Sequence, residues 1–323
     1  MGPTKLSCAA AFALAALGSA TAPAQTWPDK PIRLVVSFAP GGVHDTLARV
    51  LQPRLTEALG QPIVIENRGG AGGNIAAEAV AKSANDGYTF LIASEAIATN
   101  QFLYRKIGYD PYKDLAPVTK LADFPVAFVA HPSLPANTVG EFVVLARAKP
   151  GQISYGSAGI GTMGHLAGEL FRSMAGIDMV HVPYKGGAPA TADLVAGRLQ
   201  AMFLSVSLSA PQVRQSRLKA LGVAGQKRAA QLPEVQTTAE AGYPEFEALL
   251  FSSLLAPAGT PAEIINRMNS EVGKALRAPD VQKRLTDIGA VPAPTLPEEF
   301  ARILRGTGER WGKLIRDKNI RAD

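Results

Sequence analysis

The sequence is poor in the side chains that metal sites and covalent catalysis use most often. Its 323 residues include one cysteine and four histidines. The cysteine, Cys8, lies in an apolar N-terminal segment, so the rest of the chain offers no disulfide bond, thiolate ligand or cysteine nucleophile. The histidines show neither an i, i+4 pair nor zinc-like spacing. We therefore expect no metal site and no cofactor.

Charged residues are also sparse, at 19% of the chain, and the formal net charge is +6. Lysine and arginine form no dense tract with interleaved aromatic residues, which argues against a nucleic-acid partner. A small positive balance favours anionic over cationic small molecules.

The N-terminus has the pattern of a secretory signal peptide. Lys5 supplies a positive charge, residues 6–18 form an apolar run, and Ala22-Pro23-Ala24 offers a small-residue cleavage site before Gln25. The apolar run is shorter than the roughly 20 residues that a membrane-spanning helix needs. We predict a signal peptide over residues 1–24 and a soluble mature protein in the periplasm.

Short apolar runs alternate with segments of helical periodicity in the rest of the chain. This alternation predicts an α/β fold with mainly parallel sheets, and the length suggests two domains. Strands are predicted at 32–36, 62–66, 88–93, 126–130, 153–155, 179–184, 199–204 and 218–223, and late helices at 265–276 and 300–315.

Two glycine-rich bends occupy matching positions in the two halves. Residues 39–45 (APGGVHD) and residues 156–162 (GSAGIGT) each follow an apolar strand and precede a helix. Helix N-termini present unpaired N–H groups with partial positive charge, and glycine lets a ligand approach the backbone. Ligands of parallel α/β sheets bind beyond the carboxyl ends of the strands. Two such bends facing each other across a cleft would hold a carboxylate or phosphate.

Each bend also has a simpler interpretation. Asp45 and Thr162 are common capping residues, so either bend alone is adequately explained as a capped turn. The second bend contains the spacing Gly159-x-Gly161-x-x-Gly164 of dinucleotide-binding loops, but the next strand ends without the required acidic residue. The paired arrangement favours an anion site.

A series of motifs runs in order along almost the whole mature chain. They are Pro31-Ile32-Arg33-Leu34-Val35-Val36, Ala39-Pro40-Gly41-Gly42 with Asp45, Glu66-Asn67-Arg68 with Gly70-Ala71-Gly72-Gly73-Asn74, Asp86-Gly87-Tyr88-Thr89, Ser157-Ala158-Gly159 with Gly161-Thr162, His165-Leu166-Ala167-Gly168-Glu169, Val182-Pro183-Tyr184-Lys185-Gly186 and Leu255-Ala256-Pro257-Ala258-Gly259-Thr260-Pro261. Together they resemble the Bug-type receptors, the extracytoplasmic solute-binding proteins of tripartite tricarboxylate transporters.

The resemblance implies a type II periplasmic binding fold of two α/β lobes joined by two crossing strands. We place the crossings near Ala122–Phe124 and Leu218–Gly225. The first lobe would then comprise residues 25–122 and 220–323, including the C-terminal helices, and the second lobe residues 123–219. The expected protein is a monomer that captures a small organic anion, a carboxylate, by lobe closure and delivers it to membrane transporter subunits.

The resemblance also implies a set of ligand contacts. In the first lobe these are Phe38, Ala39, Gly41 and Gly42, with Asp45 supporting the turn. In the second lobe they are Ser157, Ala158, Gly161, Thr162 and His165. The contacts expected at the distal end of the ligand are Ser94, Tyr184 and Ser205.

The chain departs from the family pattern at several of these places. Val43 and His44 replace a glycine and a hydroxyl residue of the first bend, and Leu204 stands where many members have an aspartate. If that aspartate holds an amino group in relatives, an amino acid is a less favoured ligand here. Ile160 and Glu95 occupy positions that are usually small or polar, which predicts a reshaped pocket.

Two other functions stay open from the sequence. An exported α/β hydrolase could use Ser157, although Tyr155 replaces the first glycine of a nucleophile elbow. A ligand-sensing subunit of a membrane signalling protein would share every feature of a transport receptor.

Overall fold

The computed structural model describes residues 27–184 and 186–322. The predicted signal peptide, residues 1–24, and the cleavage site before Gln25 lie outside the described residues. Among the helices of the described residues, none has both the length and the apolar character that crossing a membrane requires.

Strands and helices alternate as the periodicity predicts. The first part contains β1 (Ile32–Val36), α1 (Val43–Leu59), β2 (Ile63–Asn67), a short 3-10 helix (Ala71–Gly73), α2 (Asn74–Ala81), β3 (Thr89–Ser94) and α3 (Ala96–Leu103). The middle contains β4 (Leu115–Ala130), α4 (Val139–Ala148), β5 (Ser154–Ser157), α5 (Met163–Ala175), β6 (Val180–Pro183), α6 (Gly187–Val195), β7 (Ala201–Ser205), α7 (Val206–Arg214) and β8 (Lys219–Val223). The last part contains β9 (Leu249–Pro257), α8 (Ala262–Arg277), α9 (Pro279–Asp287), β10 (Val291–Pro292) and α10 (Pro297–Asp317).

The strands form one continuous mixed sheet in the order β2-β1-β3-β9-β4-β7-β5-β6, and both β8 and β10 pair with β4. β1 pairs in parallel with β2 and β3, and β5 pairs in parallel with β6 and β7. The pairs that involve β4 and β9 are antiparallel. The α/β prediction is confirmed, and the antiparallel pairs lie where the two halves of the sheet join.

The long strand β4 carries the chain from one half of the sheet to the other. Its residues 115–125 pair with β9, whereas residues 126–130 pair with β7. The change of partner comes directly after the crossing predicted at Ala122–Phe124.

The second predicted crossing, at Leu218–Gly225, includes a strand that pairs within the second half of the sheet. Residues 219–223 form β8, which pairs with the second half of β4. Phe246 and Ala248 still pack in the same core as Phe128. The chain therefore rejoins the first half of the sheet only at β9. Periodicity identified β8 as a strand but could not specify its partner, because pairing is set by contacts distant in sequence.

Both faces of the sheet are buried, which explains the continuous apolar runs of the strands. In β1, Leu34 packs on one face and Val35 on the other. In β4, Phe128 and Val129 divide between the faces in the same way. The alternation follows from the two-residue period of a strand.

The C-terminal helix α10 contacts both halves of the molecule. Phe300 and Leu304, near its start, pack with the first half of the sheet. Trp311 and Ile315, about two and three turns after Leu304, pack with the core of the second half. The helix therefore connects the two cores, and the assignment of residues 220–323 to the first lobe stays a prediction.

Candidate functional site

A cleft lies between the two glycine-rich bends. Its larger cavity has a volume of about 380 Å³ and is lined by Gly41 and Gly42 of the first bend and by Ala158 and Thr162 of the second. A smaller cavity of about 220 Å³ adjoins it. The lining residues common to both cavities are Phe38, His44, Ala158, Thr162, Met163 and Leu250.

Asp45 fixes the shape of the first bend from behind. Its carboxylate accepts hydrogen bonds from the Gly41 backbone N–H at 2.8 Å, from Asn67 Nδ2 at 3.0 Å and from Arg49 Nε at 3.0 Å. Asn67 Nδ2 also donates to the Phe38 carbonyl at 3.1 Å. Burial by itself would raise the pKa of Asp45, but these three donors outweigh burial and hold that pKa below its usual value. The predicted role of Asp45 in supporting the turn agrees with these contacts.

His44 lines both cavities together with the aromatic ring of Phe38. Its ring stacks on Phe38 with 4.4 Å between centroids and 20° between planes, and its Nδ1 hydrogen-bonds to Ser252 Oγ. Burial lowers the pKa of His44 to about 4. The ring is therefore neutral at pH 7. It can pack against a ligand and take part in hydrogen bonds, but it carries no charge.

The second bend repeats the arrangement with different chemistry. The Gly161 backbone N–H donates to Nδ1 of His165 at 3.0 Å, four residues later, as Gly41 donates to Asp45. In both bends a side chain in the first helical turn thus holds the glycine that precedes the helix. Because these two N–H groups already have acceptors, they are not the donors for a ligand.

A buried polar network supports the second bend. The rings of His165 and His181 stack with 3.8 Å between centroids and 8° between planes. Below them the Tyr155 hydroxyl donates to Glu169 at 2.6 Å, and Arg172 donates to the same oxygen at 2.8 Å. Burial is the main reason that the pKa values of His165 and His181 are lowered to about 4.

The N-termini of α1 and α5 face the cleft without a side-chain cap. Gly42 precedes α1 and Thr162 precedes α5, and both residues line the larger cavity. In the described residues, no side chain caps either helix start. The first turns of two helices therefore line one cavity, where their dipoles favour an anion.

The structure brings most of the predicted site residues to the cleft. Those that line one or both cavities are Phe38, Gly41, Gly42, Ser94, Ala158, Gly161, Thr162 and Ser205. Asp45, Ser157 and His165 lie behind the bends and shape them. Ala39 and Tyr184 do not line either cavity, and the Tyr184 hydroxyl donates to Asp193 at 2.7 Å.

Several lining residues carried no signal as ligand contacts in the sequence. Phe124, Met163 and Leu250 read as ordinary core residues, since apolar periodicity does not distinguish a core from the wall of a cleft. His44 and Glu95 stood out only as departures from the family pattern. Their position in the cleft follows from the tertiary structure.

The buried histidines predict a loss of stability in mild acid. An unfolded histidine takes up a proton near pH 6.5, whereas His165 in the folded protein does so near pH 4. Between these values the unfolded state binds more protons, so the free energy of unfolding falls as the pH falls. In His165→Asn the amide oxygen can still accept the Gly161 hydrogen bond, but the titrating ring is gone. Between pH 7 and pH 5 we expect the free energy of unfolding of this variant to fall by about 2 kcal/mol less than that of the wild type.

Urea denaturation at the two pH values measures this difference. His165→Ala is the matched control, because it removes the same titration but also the acceptor of the Gly161 N–H. It should show the same weakened pH dependence together with a loss of about 1–3 kcal/mol at pH 7. An unchanged pH dependence in both variants would contradict the assignment of the acid sensitivity to His165.

Comparisons with known proteins agree with this architecture. The family model described as "Tripartite tricarboxylate transporter family receptor" matches residues 47–320. The chain belongs to this family. The receptor is 40% identical over 298 residues to a UPF0065 protein of a Pseudomonas species, covering 92% of this chain and 89% of that protein. It is 35% identical to Protein BugT of Bordetella pertussis, covering 98% of both.

Two solved structures of relatives contain ligands. The receptor resembles Rpa4515 of R. palustris with adipate at a TM-score of 0.82 and 38% identity, over 91% of this chain and 99% of that chain. It resembles MatC of Rhodopseudomonas palustris with bound malate at a TM-score of 0.76 and 34% identity, over 89% and 99% of the two chains. The two-lobed periplasmic binding fold is thereby confirmed for this receptor.

Proposed function

We propose that the receptor captures a small organic carboxylate in the cleft and delivers it to the membrane subunits of a tripartite transporter. The observation that carries this proposal is the pair of uncapped helix N-termini, of α1 and α5, that line one cavity. The carboxylates bound by the relatives Rpa4515 and MatC support the same class of ligand.

Lobe closure supplies the mechanism of capture. A carboxylate that bridges the two bends uses the N–H groups of both helices only when the lobes are close together. The bound anion therefore stabilises the closed arrangement relative to the open one, in proportion to the difference in its affinity for the two. Closure around β4 and β9 would present a changed surface to the transporter.

Binding without turnover fits the surroundings of Ser157. Ser157 Oγ lies 2.7 Å from His181 Nε2, which resembles a serine–histidine pair. However, Ser157 is fully buried, donates to the Gly159 carbonyl at 3.0 Å and lines neither cavity, so no substrate reaches it. His181 stacks on His165, and Ser157 serves to shape the bend. We infer that the receptor is not an enzyme.

Calorimetric titration tests the carboxylate proposal directly. The full-length chain is expressed with its N-terminal segment and the protein is purified from the periplasm. Mono-, di- and tricarboxylates are then titrated, with amides of the same carbon skeletons as uncharged controls. We expect saturable binding of at least one carboxylate and a rise in melting temperature, because the ligand binds only the folded state. Absence of any response to carboxylates, or turnover of an ester substrate, would refute the proposal.

The same preparation tests the predicted export. The mass of the periplasmic protein should correspond to a chain that begins at Gln25. A mass that includes residues 1–24 would refute cleavage at this site.

A further inference from the structure

Glu95 places an acidic group inside the cleft of a receptor for anions. It lies between β3 and α3, is 5% exposed and lines the smaller cavity. Its Oε2 accepts a hydrogen bond from the Phe251 backbone N–H at 3.3 Å. Among the described residues, no ion pair includes Glu95. The smaller cavity therefore contains a carboxyl group without a cationic partner.

The other polar groups of the smaller cavity do not neutralise Glu95. The titratable side chains that line it, besides Glu95, are His44 from α1 and Tyr104 after α3. His44 is neutral at pH 7, since burial lowers its pKa to about 4. Asn100 directs its amide to the Gly72 carbonyl and to Asn74, each at 2.9 Å. Burial raises the pKa of Glu95 to about 7.

The space in front of the two helix N-termini continues to Glu95. The larger cavity, at the helix N-termini, shares six lining residues with the smaller one. The two cavities thus form one path, in which Gly42 at the start of α1 lines only the larger part, Thr162 at the start of α5 lines both parts, and Glu95 lines only the smaller part. The two parts of this path therefore favour different chemical groups on the two ends of a ligand.

We infer that Glu95 selects carboxylates whose opposite end is an uncharged hydroxyl or amide group and discriminates against a second carboxylate. The inference rests on the proposed carboxylate function and specifies its substrate class. A hydroxyl or amide N–H donates to the Glu95 carboxylate, and a hydrogen bond to a charged acceptor is stronger than a neutral one. A second carboxylate offers no donor and repels Glu95, because two carboxylates that share a site cannot both stay ionised.

Matched ligand pairs test this selectivity by calorimetry. The pairs are succinate, glutarate and adipate, each with its own monoamide, so that the two members differ only in the distal group. At pH 8.5, where Glu95 is mostly ionised, we expect the wild type to bind the monoamide of the best-fitting length roughly tenfold more tightly than the dicarboxylate. In Glu95→Gln the difference should shrink to within a factor of about three, mainly because the dicarboxylate gains affinity.

Glu263→Gln is the control for the loss of one negative charge. Glu263 is exposed on α8 and lines neither cavity. This variant should keep the wild-type preference, because an exposed charge outside the cleft is screened by water and salt. Loss of the preference in both variants would assign the effect to net charge and overturn the inference.

The pH dependence of the unaltered receptor gives a second measurement that needs no variant. As the pH falls from 8.5 to 6.5, Glu95 takes up a proton, while a ligand carboxyl with an ordinary pKa stays ionised. The affinity for the dicarboxylate should therefore rise severalfold, and the affinity for the monoamide should not. Glu95→Gln should bind both ligands with little pH dependence over this range.

The outcomes separate this inference from the proposed function. Failure of every carboxylate and monoamide to bind the wild type refutes carboxylate capture itself. Binding of a dicarboxylate at pH 8.5 as tight as that of its monoamide, with no change on lowering the pH, leaves the receptor function intact and overturns the role of Glu95.

Discussion

Replacing Asp45 by alanine is expected to weaken carboxylate binding by roughly a hundredfold and to lower the free energy of unfolding by about 3 kcal/mol. Asp45 is 2% exposed and accepts hydrogen bonds from Gly41, Asn67 and Arg49. Its removal leaves the Gly41 N–H without an acceptor and leaves the Asn67 amide with only the Phe38 carbonyl. The first bend then loses the conformation that points α1 at the ligand.

Calorimetry and urea denaturation measure the two effects of the Asp45→Ala substitution. Asp280→Ala is a matched control, because it also removes an aspartate that pairs with an arginine, Arg54, but at an exposed site. Exposed ion pairs contribute little, so this control should bind and unfold like the wild type. Wild-type affinity in Asp45→Ala would show that the bend does not depend on its carboxylate anchor.

Replacing Gly161 by alanine is expected to weaken ligand binding by at least roughly tenfold. The free energy of unfolding should fall by less than it does in Asp45→Ala. Gly161 has φ +77°, a conformation that residues with a side chain rarely adopt, and an added Cβ would lie 2.5 Å from Leu103 Cδ1. Leu103 ends α3, which follows β3 in the first half of the sheet, whereas Gly161 precedes α5 in the second. The added methyl group therefore separates the two sides of the cleft and opposes closure.

Two variants distinguish this collision from simple backbone strain. Gly176→Ala introduces the same residue at φ +59° after α5, where nothing lies within 4 Å of the added Cβ. It should lose about 1–2 kcal/mol of stability while binding normally. The double variant Gly161→Ala/Leu103→Ala removes the colliding side chain and should recover part of the affinity. If Gly176→Ala weakens binding as much as Gly161→Ala does, the proposed opposition to closure is wrong.

The two bends share the same hydrogen-bonding arrangement but use different side chains for it. A glycine N–H donates to the side chain four residues later, which is Asp45 in one bend and His165 in the other. An anionic acceptor and a neutral acceptor thus perform the same positioning task. His165 is a neutral acceptor at pH 7 because burial keeps its pKa near 4. The first bend is expected to tolerate mild acid better than the second, because an aspartate with a lowered pKa stays ionised there.

The strands before residue 224 could be predicted from local patterns, but several later or shorter elements could not. β1 matches its predicted bounds, and β8 lies within one residue of its predicted start. The central strand β9, residues 249–257, was not predicted, although its apolar residues are buried between β3 and β4. Its antiparallel partners lie more than a hundred residues earlier in the chain, and no local periodicity encodes such a pairing.

The site could be predicted only in part for a related reason. The preference for glycine and capping residues before a helix has a local origin, so both bends could be recognised in the sequence. Tyr184 was assigned to the distal end of the ligand, yet its hydroxyl is taken up by Asp193. Glu95 and His44 face the ligand space because β3, α1 and β9 converge there. Convergence of distant elements is a property of the fold and not of any one segment.

The sequence by itself determined the family, the alternation of strands and helices, and the two bends, because each of these depends on residues that are neighbours in the chain. The tertiary structure decided which N–H groups remain available to an anion, since Asp45 and His165 accept two of those in the bends. It also decided that a buried carboxyl, Glu95, faces the same cleft. The burial of a group and its hydrogen-bond partners depend on its neighbours in space. Those neighbours come from distant parts of the chain and meet only when the chain has folded.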